Sequence, residues 1–352
     1  MSVRHYDWLA HHACRAPASL AVVDLHSERR LSYRAFDQRT AQLAAFLATA
    51  RAVTKGDRVA VLAHNSTDVL EIQFACAKIG AIFVPLNWRL TVPELKFIVG
   101  DADPKVLIHD RAFAEPADEL MRLCAIPHLI ETDGGGGDTA YERAIAEAGA
   151  ESGSAPAPVA LTHDDISTIM YTSGTTELPK GAIITYGMTF YNTVNLGLPM
   201  AVSATTVALT VLPLFHTAGL NCFANVALHA GGTVLVMHSF EPGAALALID
   251  DPEVGVTHFF GVPAHYLFMS QHPDFATTDF ARLQTAGIGG APTPIALLET
   301  YSGRGMSLQQ GYGMTETSPV VLVQDRQMAL DKPGSAGLPA LHTEVRVVDE
   351  AG

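Results

Sequence analysis

Residues 171–181, YTSGTTELPKG, combine hydroxyl side chains, glycine and a lysine within one short segment. Hydroxyls and backbone N–H groups can surround phosphate oxygens, and a lysine adds a positive point charge. The segment offers such groups at Thr172, Ser173, Gly174, Thr175, Thr176 and Lys180. It differs from the GxxxxGK[ST] loop of P-loop NTPases, because Lys180 is followed by Gly181. By composition alone, a Ser/Thr-rich surface turn explains it equally well.

Glu177 places a carboxylate inside this candidate phosphate loop. A carboxylate about 6 Å from a phosphate oxygen would repel it by roughly 3 kcal/mol at an effective dielectric constant near 20. Exposure to water would reduce that repulsion severalfold, and Lys180 could partly neutralise the acid. Two interpretations therefore stay open: Glu177 points into water, or it weakens nucleotide binding.

Three further segments contain groups that suit a nucleotide or an acid. In residues 309–319, QQGYGMTETSP, Tyr312 can stack on a flat base, while Thr315 and Glu316 offer oxygens to phosphate and Mg²⁺. Small residues in GIGGAPTP, residues 287–294, let a ligand approach the backbone. In LPLFHTAGL, His216 follows an apolar strand. Taken singly, each has a plainer explanation, as a glycine loop before a helix or as a core histidine.

Composition limits the classes of partner. The 352 residues include 22 Lys+Arg against 36 Asp+Glu, and the net charge of -14 disfavours nucleic acid and anionic membranes. The four cysteines have no CxxC spacing, which argues against a disulfide framework or a metal knuckle. No apolar run approaches the roughly 20 residues of a membrane helix. We therefore expect a cytoplasmic protein without nucleic-acid partners or an integral membrane segment.

The elements that must position these segments alternate between helices and short apolar strands. Apolar spacing predicts a helix over 31–47 capped by Ser32, and another over 67–79 stopped by Gly80. Strands are predicted before and after them, in KVLIHD, VALTVLPL, GGTVLVM, VTHFFG and LQTAGIGG. This alternation indicates an α/β fold with mainly parallel sheet.

Two segments of small residues, 134–137 and 148–160, have the composition of loops or linkers. We place a boundary at the second, which divides the chain into a first α/β subdomain, 1–158, and a second, 159–330, that carries the chemistry. Residues 331–352 would begin an incomplete β-rich subdomain, because TEVRVVD, residues 343–349, predicts a strand without a visible partner. We expect the natural protein to continue beyond it.

Together, the four chemical segments, in this order and each after a strand, resemble those of the adenylate-forming, or AMP-binding, enzymes. That superfamily includes acyl-CoA synthetases, aryl-CoA ligases, luciferases and the adenylation domains of peptide synthetases. KPGSAGLP, GDRVAVLAHNS and AKIGAIFVPLN resemble further parts of its sequences, so that the likeness covers nearly the whole chain. It implies a large N-terminal domain layered α/β/α/β/α, with two stacked, mainly parallel sheets.

The resemblance also implies a reaction: a carboxylate attacks the α-phosphate of ATP, giving an acyl-adenylate and pyrophosphate, and the thiol of CoA then displaces AMP. Thr172, Ser173, Gly174, Thr175, Thr176 and Lys180 would hold the β- and γ-phosphates. Gly290, Ala291, Gly311, Tyr312, Gly313 and Met314 would bind the nucleotide, with Tyr312 stacked on adenine. Thr315 would contact the α-phosphate, and Glu316 and Thr172 would ligate Mg²⁺. His216 would stand at an apolar acyl pocket with Phe259, Phe260, Val262 and Tyr266.

Several alternatives stay open. Fatty acids and aryl or hydroxycinnamic acids fit the acyl pocket equally. The adenylate could pass to a carrier protein or serve a luciferase-like reaction, or the protein could bind nucleotide without catalysis; a homodimer is compatible with the sequence. The family's ribose-binding Asp and its C-terminal lid with the catalytic Lys would lie beyond this chain, so we expect the chain alone to be impaired. Glu177 stands where the family normally has Gly.

Overall fold

A computed structural model describes residues 2–150, 159–172 and 178–349. The strands in these residues are β1 Leu20–Asp24, β2 Arg30–Ser32, β3 Arg58–Leu62, β4 Ile82–Pro85, β5 Val106–Asp110, β6 His128–Thr132, β7 Ile166–Thr172, β8 Lys180–Thr185, β9 Val207–Thr210, β10 Thr233–Val236, β11 His258–Gly261, β12 Thr285–Ile288, β13 Leu308–Gly313, β14 Val320–Val323 and β15 Leu338–Pro339.

The α-helices are α1 Trp8–Arg15, α2 Tyr33–Ala50, α3 Thr67–Ile79, α4 Val92–Ala102, α5 Ala114–Cys124, α6 Ala140–Ala150, α7 Tyr186–Gly197, α8 Thr217–Gly219, α9 Asn225–Ala230, α10 Pro242–Asp250, α11 Pro263–Gln271, α12 Ile295–Ser302 and α13 Arg326–Asp331. A π-helical turn, Leu220–Ala224, joins α8 to α9. Short 3₁₀ turns occur at Arg111–Phe113, Pro273–Ala276 and Thr315–Thr317.

Within the described residues the strands form two sheets. One has nine strands in the order β15-β14-β13-β12-β11-β9-β10-β1-β2, and the other has six in the order β6-β5-β3-β4-β7-β8. Pairing is parallel in the middle of both sheets and antiparallel only toward their edges, at β2, β8, β14 and β15. The predicted α/β fold with mainly parallel sheet is therefore confirmed.

Local signals placed the start of α2 and the end of α3 correctly, whereas α2 runs three residues beyond the predicted end, to Ala50. The Ser32 side chain accepts a hydrogen bond from the Ala35 backbone N–H and caps α2, as predicted. Gly80 ends α3 with a φ of 73°, a left-handed conformation that favours glycine. Residues 343–349, predicted as a strand without a partner, run without strand pairing in the structure, and the strand stays a prediction.

Alternating side chains of the strands build three cores and hence five layers. Val22 and Val61, on different sheets, share a central core with helices α2 and α3. Their neighbours Val23 and Ala60 point the opposite way, into outer cores covered by α10–α12 and by α4 and α5 respectively. Because successive strand residues face opposite sides, each sheet is covered by helices on both faces. This is the expected α/β/α/β/α layering.

Each sheet contains strands from both sides of the boundary expected at residue 158. β7 and β8 complete the six-stranded sheet of the first half, while β1 and β2 join the nine-stranded sheet of the second half. The linker residues 151–158 lie outside the described residues. Leu338–Pro339 pairs with Val320–Val323, so this part of the C-terminal region belongs to the nine-stranded sheet. None of the helices in the described ranges combines the length and apolar character needed to cross a membrane.

Candidate active site

A cavity of about 230 Å³ opens beside the carboxyl ends of β11, β12 and β13. Ligands of open α/β sheets bind at these ends, where loops leave the strands. The cavity brings together residues that lie up to 99 positions apart and that the sequence analysis singled out separately: His216, Gly290, Gly311, Tyr312, Gly313, Met314 and Thr315. Ala291 and Glu316, which follow two of them directly, are exposed beside it.

Glycines line the side of this cavity that the sheet forms, because every second residue along β12 and its end faces the cavity. Gly287 and Gly289 face the cavity side, while Ile288 between them is fully buried in the core on the opposite face. A Cβ atom on Gly289 would lie 2.9 Å from the carbonyl oxygen of Gly311 on the neighbouring strand. The glycines therefore allow two strand ends to approach each other and leave room above them.

Tyr312 lies near the end of β13, just before the tight turn that leads to β14. The Met314 backbone N–H donates to the Pro319 carbonyl and to the Thr317 hydroxyl, at 3.0 Å each. Tyr312 is 49% exposed, and Thr315 only 8%. The ring of Tyr312 is thus free to stack on a planar ligand, while Thr315 is held in the wall of the cavity.

The candidate phosphate loop is the connection of an antiparallel hairpin. Thr172, at the end of β7, lies directly opposite Lys180, at the start of β8. Strand β8 contacts the 3₁₀ turn Thr315–Thr317. The strand that begins at Lys180 therefore packs against the turn that carries Glu316. Ser173, Gly174, Thr175, Thr176 and Glu177 lie outside the described residues.

His216 stands at the N-terminus of the helical segment that begins with α8. Its Nδ1 accepts a hydrogen bond from the Ala218 backbone N–H at 3.1 Å. The ring is accessible from the cavity but surrounded by protein, and this desolvation lowers its pKa below 6.5. At neutral pH the ring is therefore uncharged and carries its proton on Nε2, where it can donate to an oxygen.

Oxygen donors at this site suit a hard cation. The Glu316 carboxylate is exposed, and the Thr172 hydroxyl lies on the strand paired with β8, which contacts the turn of Glu316. Carboxylate and hydroxyl oxygens are ligands that Mg²⁺ accepts. Within the described residues, no group of three or more His, Cys, Asp or Glu side chains could hold a metal ion. Any Mg²⁺ would therefore need further oxygens from elsewhere, such as nucleotide phosphates.

Comparison with known proteins shows the family of the chain. A profile of the AMP-binding enzyme family matches residues 9–352. The chain belongs to the AMP-binding enzyme family. Feruloyl-CoA synthase of an Amycolatopsis species is 39% identical over 98% of this chain, and long-chain-fatty-acid–CoA ligase FadD13 of Mycobacterium tuberculosis is 34% identical over 99% of it.

The architecture agrees with that family. The crystal structure of the N-terminal domain of FACL13 from Mycobacterium tuberculosis matches with a TM-score of 0.84 at 30% identity, over 95% of this chain and 82% of that one. The chain spans 66% of the length of the feruloyl-CoA synthase and 68% of FadD13. The fold and the family expected from the sequence are thereby confirmed.

The residues predicted to form an acyl pocket meet only partly at this cavity. Phe260 lines the cavity, but Phe259 and Tyr266 are fully buried in the core behind the sheet, and Val262 packs against that core. The reason is that successive side chains of a strand point to opposite faces of the sheet, so Phe259 and Phe260 face opposite sides. The Tyr266 hydroxyl instead donates to the Gly287 carbonyl at 2.9 Å. Three apolar residues that the sequence analysis missed complete the wall: Leu196, Met200 and Cys222.

Two buried asparagines that position the site were also missed. The Asn192 side chain donates to the Asn221 carbonyl at 2.7 Å and accepts from the Val320 backbone N–H at 3.2 Å. It thus links the helical segment that follows His216 to the end of the turn between β13 and β14. Asn65 donates to the carbonyls of Leu212 and Met237 and accepts from Leu214. For Asn192, the one signal in the sequence was a polar amide side chain within a helical segment.

Proposed function

We propose that this AMP-binding enzyme activates a carboxylic acid with ATP and transfers the acyl group to CoA. The observation that carries the proposal is that one cavity unites His216, Gly290 and the Tyr312–Thr315 segment, while the strand that begins at Lys180 contacts the turn of Glu316. The cavity thereby combines an apolar wall with a ring that can stack on a base, which supports a site for an acid and a nucleotide. The names of the relatives, a feruloyl-CoA synthase and a fatty-acid–CoA ligase, support the same class of reaction.

In the first step, an oxygen of the acid carboxylate attacks the α-phosphorus of ATP. The bond between the α-phosphorus and the bridging oxygen to the β-phosphate breaks, and pyrophosphate leaves with the electron pair. Gly290, Ala291 and Gly311 to Met314 would hold the nucleotide, with Tyr312 on adenine. Thr315 would contact the α-phosphate. The protein forms no covalent bond, so its contribution is orientation and neutralisation of charge.

Lys180 and the candidate phosphate loop would hold the departing pyrophosphate. Lys180 is exposed at the start of β8, where its ammonium can reach phosphates above the hairpin. Glu316 and Thr172 would hold Mg²⁺, which supplies charge neutralisation of the phosphates when bound. His216, neutral and bearing its proton on Nε2, would orient the carboxylate at the mouth of the acyl pocket.

In the second step, the sulfur of CoA attacks the acyl carbon of the adenylate. The acyl–oxygen bond to AMP breaks, AMP leaves with the electron pair, and the thiol proton passes to solvent. The cytoplasm supplies both ATP and CoA, and we propose it as the location. The homodimer stays a prediction.

Acid-dependent exchange of labelled pyrophosphate into ATP tests the first step in the full-length polypeptide. We expect exchange with an aromatic or fatty acid, and thioester formation on addition of CoA. Lys180→Ala should lower kcat/KM for ATP by about 100-fold, since it removes one preorganised positive charge. Lys96→Ala, which removes an exposed lysine on α4, is the matched control. ATP binding without exchange for any acid would instead support a non-catalytic nucleotide-binding protein.

A further inference from the structure

The acyl side of the cavity extends from the carboxyl ends of the strands toward their amino ends. Gly290 and Tyr312 lie at the first end, where we propose the nucleotide. Met200 lines the same cavity, and its carbonyl oxygen accepts hydrogen bonds from His258 Nε2 and Thr285 Oγ1, at 2.8 Å each. His258 and Thr285 are the first residues of β11 and β12. Met200 is therefore anchored at the amino ends of these strands.

Met200 is held firmly at this position. Its side chain is 1% exposed, and the two residues that bind its carbonyl are themselves buried, His258 at 0% and Thr285 at 2%. Burial lowers the pKa of His258, which keeps the ring neutral with its Nε2 proton directed at the carbonyl. The inner end of the cavity is thus closed by a buried side chain on a fixed backbone.

The strands give an upper limit to the depth of the pocket, because the Phe260 ring lies over Gly287 within the same span. From Gly289 to Thr285 the chain advances four residues, which is about 13 Å at roughly 3.3 Å per residue. A zigzag chain with C–C bonds near 1.5 Å advances about 1.25 Å per carbon, so this limit corresponds to at most about ten carbons. A ferulate-sized aromatic acid fits within it, whereas a sixteen-carbon chain exceeds it.

The residues that line the cavity indicate that the acid carries no charge apart from its reacting carboxylate. None of the described residues that line the cavity is Asp, Glu, Lys or Arg. The Phe260 ring packs edge-on against Phe223, with centroids 5.9 Å apart, and lies over Gly287, where a Cβ atom would be 2.5 Å from the ring. Phe260 therefore presents a fixed apolar surface on which a planar or aliphatic body can pack.

We propose that Met200 sets the length of the acid and restricts the substrates to monocarboxylic acids with an apolar body no longer than about ten carbons. This inference rests on the proposed acid activation at the same cavity. Aromatic acids of the cinnamate type and medium-chain fatty acids belong to the class. Long-chain fatty acids and acids with a second charge do not.

Acid-dependent pyrophosphate exchange in the full-length polypeptide tests the length limit with ferulate, decanoate and hexadecanoate. We expect wild-type kcat/KM for decanoate to exceed that for hexadecanoate at least about 100-fold, because the longer chain cannot be accommodated. Met200→Ala should narrow this ratio at least about tenfold by deepening the pocket, and Met200→Phe should widen it. Met269→Ala is the matched control: Met269 is also 1% exposed but lies in the core behind the sheet.

The outcomes separate this inference from the proposed function. Exchange with none of the acids would overturn acid activation itself. Equal exchange with decanoate and hexadecanoate in the wild type would overturn the length limit while leaving acid activation intact. An unchanged length preference in folded Met200→Ala and Met200→Phe variants would overturn the role of Met200. Equal shifts in Met200→Ala and Met269→Ala would show a general loosening and would also overturn it.

Discussion

The side-chain oxygen of Asn65 accepts a hydrogen bond from the Leu214 backbone N–H at 2.8 Å, two residues before His216. Asn65 follows β3 of the six-stranded sheet, and Leu214 follows β9 of the nine-stranded sheet. The Asn65 amide nitrogen also donates to the Leu212 carbonyl at 2.9 Å and the Met237 carbonyl at 3.2 Å. One buried side chain thereby ties the two sheets together beneath the loop that carries His216.

Asn65→Ala should lower the free energy of unfolding by about 2–5 kcal/mol, because it leaves three buried backbone groups without partners. Urea denaturation measures the change. Asn87→Ala is the control, since the half-buried Asn87 accepts only one local bond, from Arg89, and should cost about 1 kcal/mol or less. Equal costs for the two variants would contradict the proposed role of Asn65 as a tie between the sheets.

Asn192→Ala should lower kcat/KM for both ATP and the acid by about 10- to 100-fold, because small displacements of reacting groups are costly. Its side chain joins the two walls of the cavity but is not among the residues that line it. Steady-state kinetics of each substrate provide the measurement. Asn195→Ala is the control on the same helix: Asn195 binds residues 342 and 343 instead. If both variants lose activity equally, the link between the walls is not what matters.

Gly289→Ala should reduce stability by about 1–3 kcal/mol, because its new Cβ would lie 2.9 Å from a backbone oxygen that cannot rotate away. Acid activation should fall with it, as β12 and β13 are forced apart at the cavity. Gly100→Ala is the control, because Gly100 lies in α4 with no atom within 4 Å of the added carbon. That change should stabilise by about 0.5–1 kcal/mol. Thermal unfolding and exchange kinetics check both variants.

Glu177→Gly should lower the KM for MgATP and leave the preference among acids unchanged, because the loop is proposed to meet phosphate and not the acyl group. The basis is electrostatic: the change removes a negative charge from a segment that would bind anions. Glu253→Gly, at an exposed position in the loop after α10, removes the same charge elsewhere. An unchanged or higher KM for MgATP in Glu177→Gly would falsify this account.

Asp68 should make folding less favourable as the pH rises from about 4 to about 7. Burial and the neighbouring Glu71 raise its pKa from 3.8 to about 7, despite the opposing charge of Arg29. The folded state therefore binds the Asp68 proton more tightly than the unfolded state does, and stability is lost as that proton leaves. We expect the fall to be smaller in Asp68→Asn, measured by urea denaturation across this range. Asp118→Asn, an exposed acid on α5, should match the wild type.

Much of the fold and the family could be predicted because their signals are local. A serine before an amphipathic run and a glycine after one mark the ends of α2 and α3, since capping depends on adjacent residues. The segments around Lys180 and Tyr312 are equally local, and their order along the chain was enough to indicate the family. Residues 343–349 make no strand pairing in the structure, because residue preferences alone cannot supply a pairing partner.

Contacts between distant parts of the chain were decided only in three dimensions. The choice of Phe260 rather than Phe259 for the cavity depends on which face of β11 meets the central core. Met200 became the end of the pocket because His258 and Thr285, 58 and 85 positions away, bind its carbonyl. Hydrophobic burial is non-directional, so a sequence shows that such residues are buried but not against what. Side-chain packing and long-range hydrogen bonds in the folded chain select those partners.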